Sequence, residues 1–269
     1  MRRHSYLMES DEEILRLEMK TDCKSVIRQA EWAGMMPGMR VVDIGCGTGK
    51  TTFCLHELTQ PAGRTVGLDA SAKRIRYAET HYGADGLEFR RRNICGSLDD
   101  LGLFDFIWVR FVLEYHREQS FAIVQNVSRI LKPGGILCLI DLDYNCLTHF
   151  GLSSRLEGAI NGVIAALGKN RNFDPYAGRK LYAHLYDGGY RDIDMDLAHH
   201  HLIFGGLQKK DAFNWMKKVE IAGRKSGYAF AEYAGGFEEF CAEFKSFFEN
   251  HRRFTYTPII SCRGRKPLT

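Results

Sequence analysis

Between residues 40 and 143, short apolar, β-branched runs alternate with helical stretches, and this alternation most limits what the chain can fold into. Val41-Val42-Asp43-Ile44-Gly45 reads as a buried strand stopping at glycine, and a helix follows from about Lys50 to Thr59. Pro61-Ala-Gly63 ends that helix, Thr65–Leu68 is the next strand and Ser71–His81 the next helix. Strands are predicted at Leu87–Arg91, Phe104–Val109 and Ile136–Ile140, with a helix over Ser120–Leu131 stopped by Lys132-Pro-Gly-Gly135. Strands and helices in strict alternation predict a parallel sheet covered on both faces, with right-handed crossovers.

The flanks are less regular. Residues 11–33 carry a helical pattern with Asp11 as its cap, closed by Met36-Pro-Gly38. Beyond residue 146, helices are predicted over Leu152–Leu167 and Pro175–Asp187, with two more between 208 and 250. Strands are predicted at Ile193–Phe204 and Phe254–Cys262. Neither a repeat nor a low-complexity linker divides the chain. The 269 residues therefore read as one domain: an N-terminal segment and helix (1–33), a core (34–146) and helical additions with the final strands (147–269).

The loop Gly45-Cys46-Gly47-Thr48-Gly49-Lys50 narrows the ligand. A phosphate cradle needs four residues between its first glycine and Gly-Lys, and here there are three. Asp43 at the strand end also repels phosphate. A dinucleotide fingerprint needs a third glycine at position 50, which is lysine. The remaining ligand is an adenosine joined to a cationic sulfonium amino acid. Asp43 then faces its ammonium, and Asp69, closing Val66-Gly-Leu-Asp69, accepts the ribose hydroxyls.

These residues resemble the class I S-adenosylmethionine-dependent methyltransferases, in particular the ubiquinone and menaquinone group. The segment Val41–Gly49 matches that family's first motif at every position, and Gly67-Leu-Asp69-Ala-Ser71 matches its ribose-binding acid. Phe104–Leu113 is similar to its fourth-strand motif, and Ile130–Gly135 to the turn before its fifth strand. The resemblance covers residues 39 to 143 and implies a Rossmann-like, doubly wound, mostly parallel seven-stranded sheet with helical insertions in the C-terminal half. It implies S-adenosyl-L-methionine as cofactor and S-adenosyl-L-homocysteine as product. Gly45, Cys46, Gly47 and Gly49 would pass under the methionine part, and Ala70 and Ser71 would border the adenine. Asn93 and Ile94 would meet the adenine edge, asparagine standing where the family generally has aspartate; its amide oxygen still accepts. The backbone carbonyl of Arg110 would meet the ammonium, and Tyr6, similar to a lid tyrosine, would cover the cofactor.

The methyl acceptor belongs beyond the carboxyl ends of the fourth and fifth strands. Tyr115 and His116, and Asp143 after the fifth strand, are the candidate catalytic groups, among neighbours Glu114, Asp141 and Tyr144. His199-His200-His201 lies on a predicted strand, where at most two of three side chains point together. The aromatics Phe173, Tyr176, Phe213, Trp215, Tyr228, Phe230, Tyr233 and Phe237 either roof an apolar acceptor pocket or pack a core.

A net charge of +4, with basic residues in short scattered clusters, offers no stripe for nucleic acid, so the expected partner is a small molecule. Eight cysteines without a C-x-x-C pair predict reduced thiols and no metal. No run of about 18 apolar residues and no signal segment is found, which predicts a soluble, cytoplasmic protein. A tRNA or protein methyltransferase, or a non-catalytic binder of the same cofactor, remain as alternatives.

Overall fold

A computed structural model describes residues 6–8 and 12–268; Asp11, the expected helix cap, lies outside them. The alternation in the sequence becomes β1 (Arg40–Ile44), α3 (Lys50–Thr59), β2 (Arg64–Asp69), α4 (Ala72–Tyr82), β3 (Leu87–Arg91), β4 (Phe104–Arg110), α5 (Ser120–Arg129) and β5 (Leu131–Leu142). Two helices precede it, α1 (Glu13–Lys20) and α2 (Cys23–Ala33). After it come β6 (His149–Phe150), α6 (Ser154–Arg171), α7 (Leu181–Asp187), β7 (Arg191–Phe204), α8 (Lys209–Ser226), α9 (Gly236–Glu249) and β8 (Phe254–Arg265).

Strands β3, β2, β1, β4 and β5 pair in that order, all parallel. From β1 the chain first builds toward β2 and β3, then crosses back to β4 and β5. The carboxyl ends of β1 and β4 thus flank the point where strand order reverses, the usual crevice for a ligand. β8 runs antiparallel beside β5 and carries β7 on its other edge, while the two-residue β6 extends the β5 side. The eight strands form a doubly wound, mostly parallel sheet.

Alternate residues feed two cores. Val42, Ile44, Ile107, Val109, Leu137 and Leu139 face α5 and α7; Val41, Phe106, Trp108, Ile136, Cys138 and Ile140 face α2 and α3. Burial of both faces explains why these strands are apolar without interruption. A third core lies among α6, α8 and α9. Phe240, Phe244, Phe247 and Phe248 are spaced to share one helical face, and they pack on Trp215, Phe230 and Tyr233.

Some boundaries differ from the sequence reading, each for a local reason. The single helix expected over 11–33 is broken at Thr21-Asp22, because the Asp22 carboxylate accepts from Lys24 N (3.2 Å) and caps a new helix. The turn expected at Lys132–Gly135 is absorbed into β5. There Gly134 N donates to Lys266 O and Lys266 N to Gly135 O, so β8 also runs on to Arg265. The helix expected from Pro175 begins only at Leu181, after a 3-10 turn at Gly178–Lys180. The expectation of reduced thiols fails at one pair, since Cys23 of α2 and Cys54 of α3 are bonded. Among the described residues no helix is long and apolar enough to cross a membrane.

Candidate functional site

The loop between β1 and α3 is held against β2, with Gly45 N and Cys46 N both donating to Leu68 O (2.7 and 2.9 Å). Gly45 and Gly49 have φ of +79° and +91°, and a β-carbon there would stand 2.6 Å from Val112 Cγ2 and from Ala78 Cβ respectively. Only glycine meets both demands. Lys50 does not point into the loop; its Nζ donates to Glu18 O (2.8 Å).

Two carboxylates flank this loop. Asp43 is buried, accepts from Thr52 Oγ1 (2.7 Å), and is pushed up to about 7 by burial against the opposing pull of Thr52 and Arg110. Asp69 Oδ2 accepts from Gly47 N (3.1 Å). Its Oδ1 accepts from Ser71 N (2.8 Å) and from Arg74 Nε and Nη2 (3.2 and 2.9 Å). Ser71 caps α4 and the Ala70 carbonyl accepts from Arg91 Nε. Beyond β3, Asn93 Oδ1 accepts from Cys95 N (3.1 Å), Ile94 is buried, and Asn126 Nδ2 donates to the Ile94 carbonyl (2.8 Å). Asp43, the glycines, Asp69, Ala70 and Ser71 thus come together at the ends of β1 and β2, with Asn93 and Ile94 after the neighbouring β3. The Cys46 thiol is buried and pushed well up by that burial.

Helix α1 covers the loop. Leu17 Cδ1 would lie 3.4 Å from a β-carbon on Gly47, and Tyr82 OH donates to Glu18 Oε2 (2.5 Å). Tyr6 lies with its ring 4.9 Å from the Arg74 guanidinium and 4.9 Å from the Tyr115 ring, and its hydroxyl donates to Glu13 (3.2 Å). The N-terminal segment is thereby tied to Asp69 through Arg74, a residue the sequence reading passed over. An arginine one helical turn into α4 was the available signal.

At the end of β4 the Arg110 guanidinium stacks 4.1 Å over Phe111, its Nε is buried without a partner, and burial pulls it down to about 10. Phe111, Tyr144 and Cys146 all have positive φ (58°, 48° and 70°). Strained non-glycine backbone gathered at the ends of β4 and β5 is characteristic of functional regions. Of the candidate catalytic groups, Tyr115 packs on Tyr6 and Phe173, and burial lifts its phenol well above the ordinary range. His116 is lowered by burial. Asp143 is held by Arg179 Nε and Nη2 (both 2.9 Å). The structure does not bring these three into one constellation.

It does join Asp141 and Glu114, named from the sequence, to Asn145 and Lys218, which the sequence reading missed. Asp141 Oδ2 accepts from Glu114 N (3.1 Å), and Glu114 Oε2 from Asn145 Nδ2 (2.6 Å). Asn145 Oδ1 accepts in turn from Lys218 Nζ on α8 (3.1 Å). Burial and the charge of Glu114 push Asp141 well up. In β7 a bulge between His199 and His201 sits opposite Pro258, which has no N–H for the ladder. The bulge places the His200 and His201 rings 4.2 Å apart, while His199 stays exposed. No group of three or more His, Cys, Asp or Glu is placed to hold a metal ion among the described residues.

A family model described as a methyltransferase domain matches residues 36–188, more than half of the chain. The chain belongs to the methyltransferase-domain family. This is the class I, S-adenosylmethionine-dependent type, and the strand order agrees with it. The demethylmenaquinone methyltransferase of Lactococcus lactis is 27% identical over 139 residues, 51% of this chain and 54% of that protein. The chain spans about half the length of the curated relatives it matches. Among solved structures, phosphoethanolamine N-methyltransferase 2 of Haemonchus contortus shares the fold with a TM-score of 0.57 at 14% identity, over 96% of this chain and 58% of that one. The [4+2]-cyclase SpnF also shares it, with a TM-score of 0.55 at 16% identity over 92% and 82%. The shared fold by itself does not fix the reaction.

Proposed function

We propose that this methyltransferase-domain protein binds S-adenosyl-L-methionine and moves its methyl group to a small-molecule acceptor, releasing S-adenosyl-L-homocysteine. The observation that carries the reading is the pair of carboxylates, Asp43 and Asp69, on either side of a glycine loop whose following lysine is turned away. Asp43 is a buried carboxyl with a hydroxyl for its hydrogen-bond partner, and an ammonium supplies the charge it lacks. Asp69 has acceptor capacity left on Oδ2 for ribose hydroxyls, and more once Arg74 lets go. Asn93 and Ile94 would border the adenine, the Arg110 carbonyl the ammonium, and Tyr6 the outer side. The cofactor, when bound, supplies an electrophilic methyl on a sulfonium. The chain's part is to hold it in line with the nucleophile and keep the crevice dry, which fits transfer without a metal.

A small acceptor is favoured over tRNA or protein because Arg16, Lys20 and Lys218 line one cleft between α1, β7 and α8. The name of the Lactococcus relative points the same way. A cytoplasmic location is part of this reading; the Cys23–Cys54 bond speaks against it, since such bonds are rare in that compartment. A non-methylating use of the same cleft is the second reading, favoured by the fold shared with SpnF.

Calorimetric titration with S-adenosylmethionine, S-adenosylhomocysteine and NAD tests the cofactor. Micromolar binding of the first two without NAD is expected, and NAD binding alone would overturn it. Formation of S-adenosylhomocysteine on incubation with a metabolite extract separates transfer from mere binding.

A further inference from the structure

Between α1, β7 and α8 lies a cleft walled by Arg16, Lys20, His201, Asn214, Trp215 and Lys218, with about 260 Å³ of non-atom space including solvent at its mouth. Three of these six side chains are cations, and none is a carboxylate. Arg16 has its own counter-ion, a two-bond pair with Glu13 (2.7 Å each). The other two make no ion pair among the described residues. Lys20 Nζ lies 4.4 Å from the Phe111 ring and makes no ion pair or hydrogen bond among the described residues. Lys218 Nζ gives one hydrogen bond, to the neutral amide oxygen of Asn145.

The polar atoms beside them are also unmet. Trp215 is 1% exposed and its Nε1 donates to nothing among the described residues. His201 Nδ1 and the acceptor Asn214 Oδ1 are likewise buried without partners among the described residues. Buried polar groups are nearly always hydrogen-bonded, so these unmet atoms, the Trp215 N–H donor among them, beside two ammoniums without an ion pair suit a polar, anionic ligand group. Burial and the neighbouring Arg16 pull Lys20 down to about 7, outweighing the opposing charge of Glu114.

A second cavity adjoins this cleft and shares two walls with it, Trp215 and Lys218. It has about 370 Å³ of non-atom space, mouth included, and apart from His149 its other walls are apolar: Ile160 and Val163 of α6, Val219 of α8, and Phe240 and Phe244 of α9 face it. Lys218 Nζ stands 4.8 Å from the Trp215 ring, at the junction of the charged cleft and the apolar chamber. One face of α1 lies on the glycine loop through Leu17, while Arg16 and Lys20 of the same helix line the charged cleft.

We propose that these two joined cavities are the acceptor subsite and take an amphipathic anion, with a carboxylate or phosphate between Lys20 and Lys218 and an apolar body among α6, α8 and α9. The proposal rests on the methyltransferase reading for the role of the ligand, but not for its binding.

The full chain, saturated with S-adenosylhomocysteine, is titrated with decanoate, decyl phosphate and decanol, followed by calorimetry and tryptophan fluorescence. At least one of the two anions is expected to bind about tenfold or more tightly than decanol, the worth of a charge-assisted contact. Which anion wins separates a carboxylic acid from a phosphate ester. Lys218→Met is expected to bring the anions down to the affinity of decanol, and Lys218→Arg to retain the preference; circular dichroism establishes that both are folded. Equal binding of all three ligands, no binding of any, or an unchanged preference in folded Lys218→Met would overturn the proposal. Should S-adenosylhomocysteine itself fail to bind, the methyltransferase reading falls, and the same titration of the free chain still decides this one.

Discussion

The carboxyl of Asp43 ties cofactor affinity to pH in a way that can be worked out beforehand. In the free protein burial holds it at about 7, so it is largely neutral in mild acid. The ammonium of S-adenosylhomocysteine favours the ionised form, so binding expels the proton that Asp43 carries. With a value of about 7, the ionised fraction falls from roughly three-quarters at pH 7.5 to roughly 3% at pH 5.5. The dissociation constant should therefore rise about 25-fold over that range, close to 2 kcal/mol. Calorimetry at pH 7 in buffers of different ionisation enthalpy should show about half a proton released per ligand bound. Asp43→Asn should bind more weakly at pH 7.5 and lose both the slope and the release. A flat profile in the native protein, or a slope that survives in Asp43→Asn, would refute the assignment of Asp43 to the ammonium.

The same carboxyl predicts a stability effect of opposite sense. Its value is raised on folding, from about 3.9 to about 7. Its stabilising contribution is therefore fully present below about pH 4 and lost as pH rises through 7, a penalty of up to about 4 kcal/mol in the ligand-free chain. Asp43→Asn should accordingly raise the urea midpoint at pH 8 and leave it little changed at pH 4. Asp69→Ala should weaken S-adenosylhomocysteine binding by about 1.5 to 3 kcal/mol, and an unchanged dissociation constant would remove Asp69 from the ribose site. Arg74→Met should tighten the same ligand by about three- to tenfold, since the ribose no longer has to displace a buried ion pair; weaker binding would instead make Arg74 part of the cofactor site. Gly49→Ala forces a β-carbon into left-handed backbone within 2.9 Å of Phe89 and 2.6 Å of Ala78. It should cost about 2 to 4 kcal/mol in a denaturant titration.

The aromatic residues after 170 show how a sequence pattern can support two outcomes. Of those named as possible pocket roof, Phe173, Trp215, Phe230 and Tyr233 are buried in the third core, and Trp215 also faces a cavity. His149, Phe240 and Phe244 line it too, and the spacing of the two phenylalanines along α9 reads as ordinary amphipathic packing. Helical periodicity tells which residues face inward; it does not tell where inward-facing residues leave space.

What the sequence by itself determined is local and short in range. Val41–Gly49 and Asp69 sit within one strand–helix–strand unit, so strand period, the need for positive φ and the two acids at strand ends could be read without coordinates. The parallel sheet followed for the same reason, from alternation repeated along the chain. The tertiary structure decided the rest. Lys20, His201 and Lys218 are separated by up to 198 positions, counting from 20 to 218, and only the packing of α1 and α8 on β7 gathers them into one cleft. The pairing of His200 with His201 depends on a bulge opposite Pro258 in a strand more than fifty residues away. Whether Asp69 is open or held by Arg74 depends on a rotamer. A charge acquires its chemistry from the company it keeps after water has been removed. That company is set by contacts between distant segments, which no local pattern encodes.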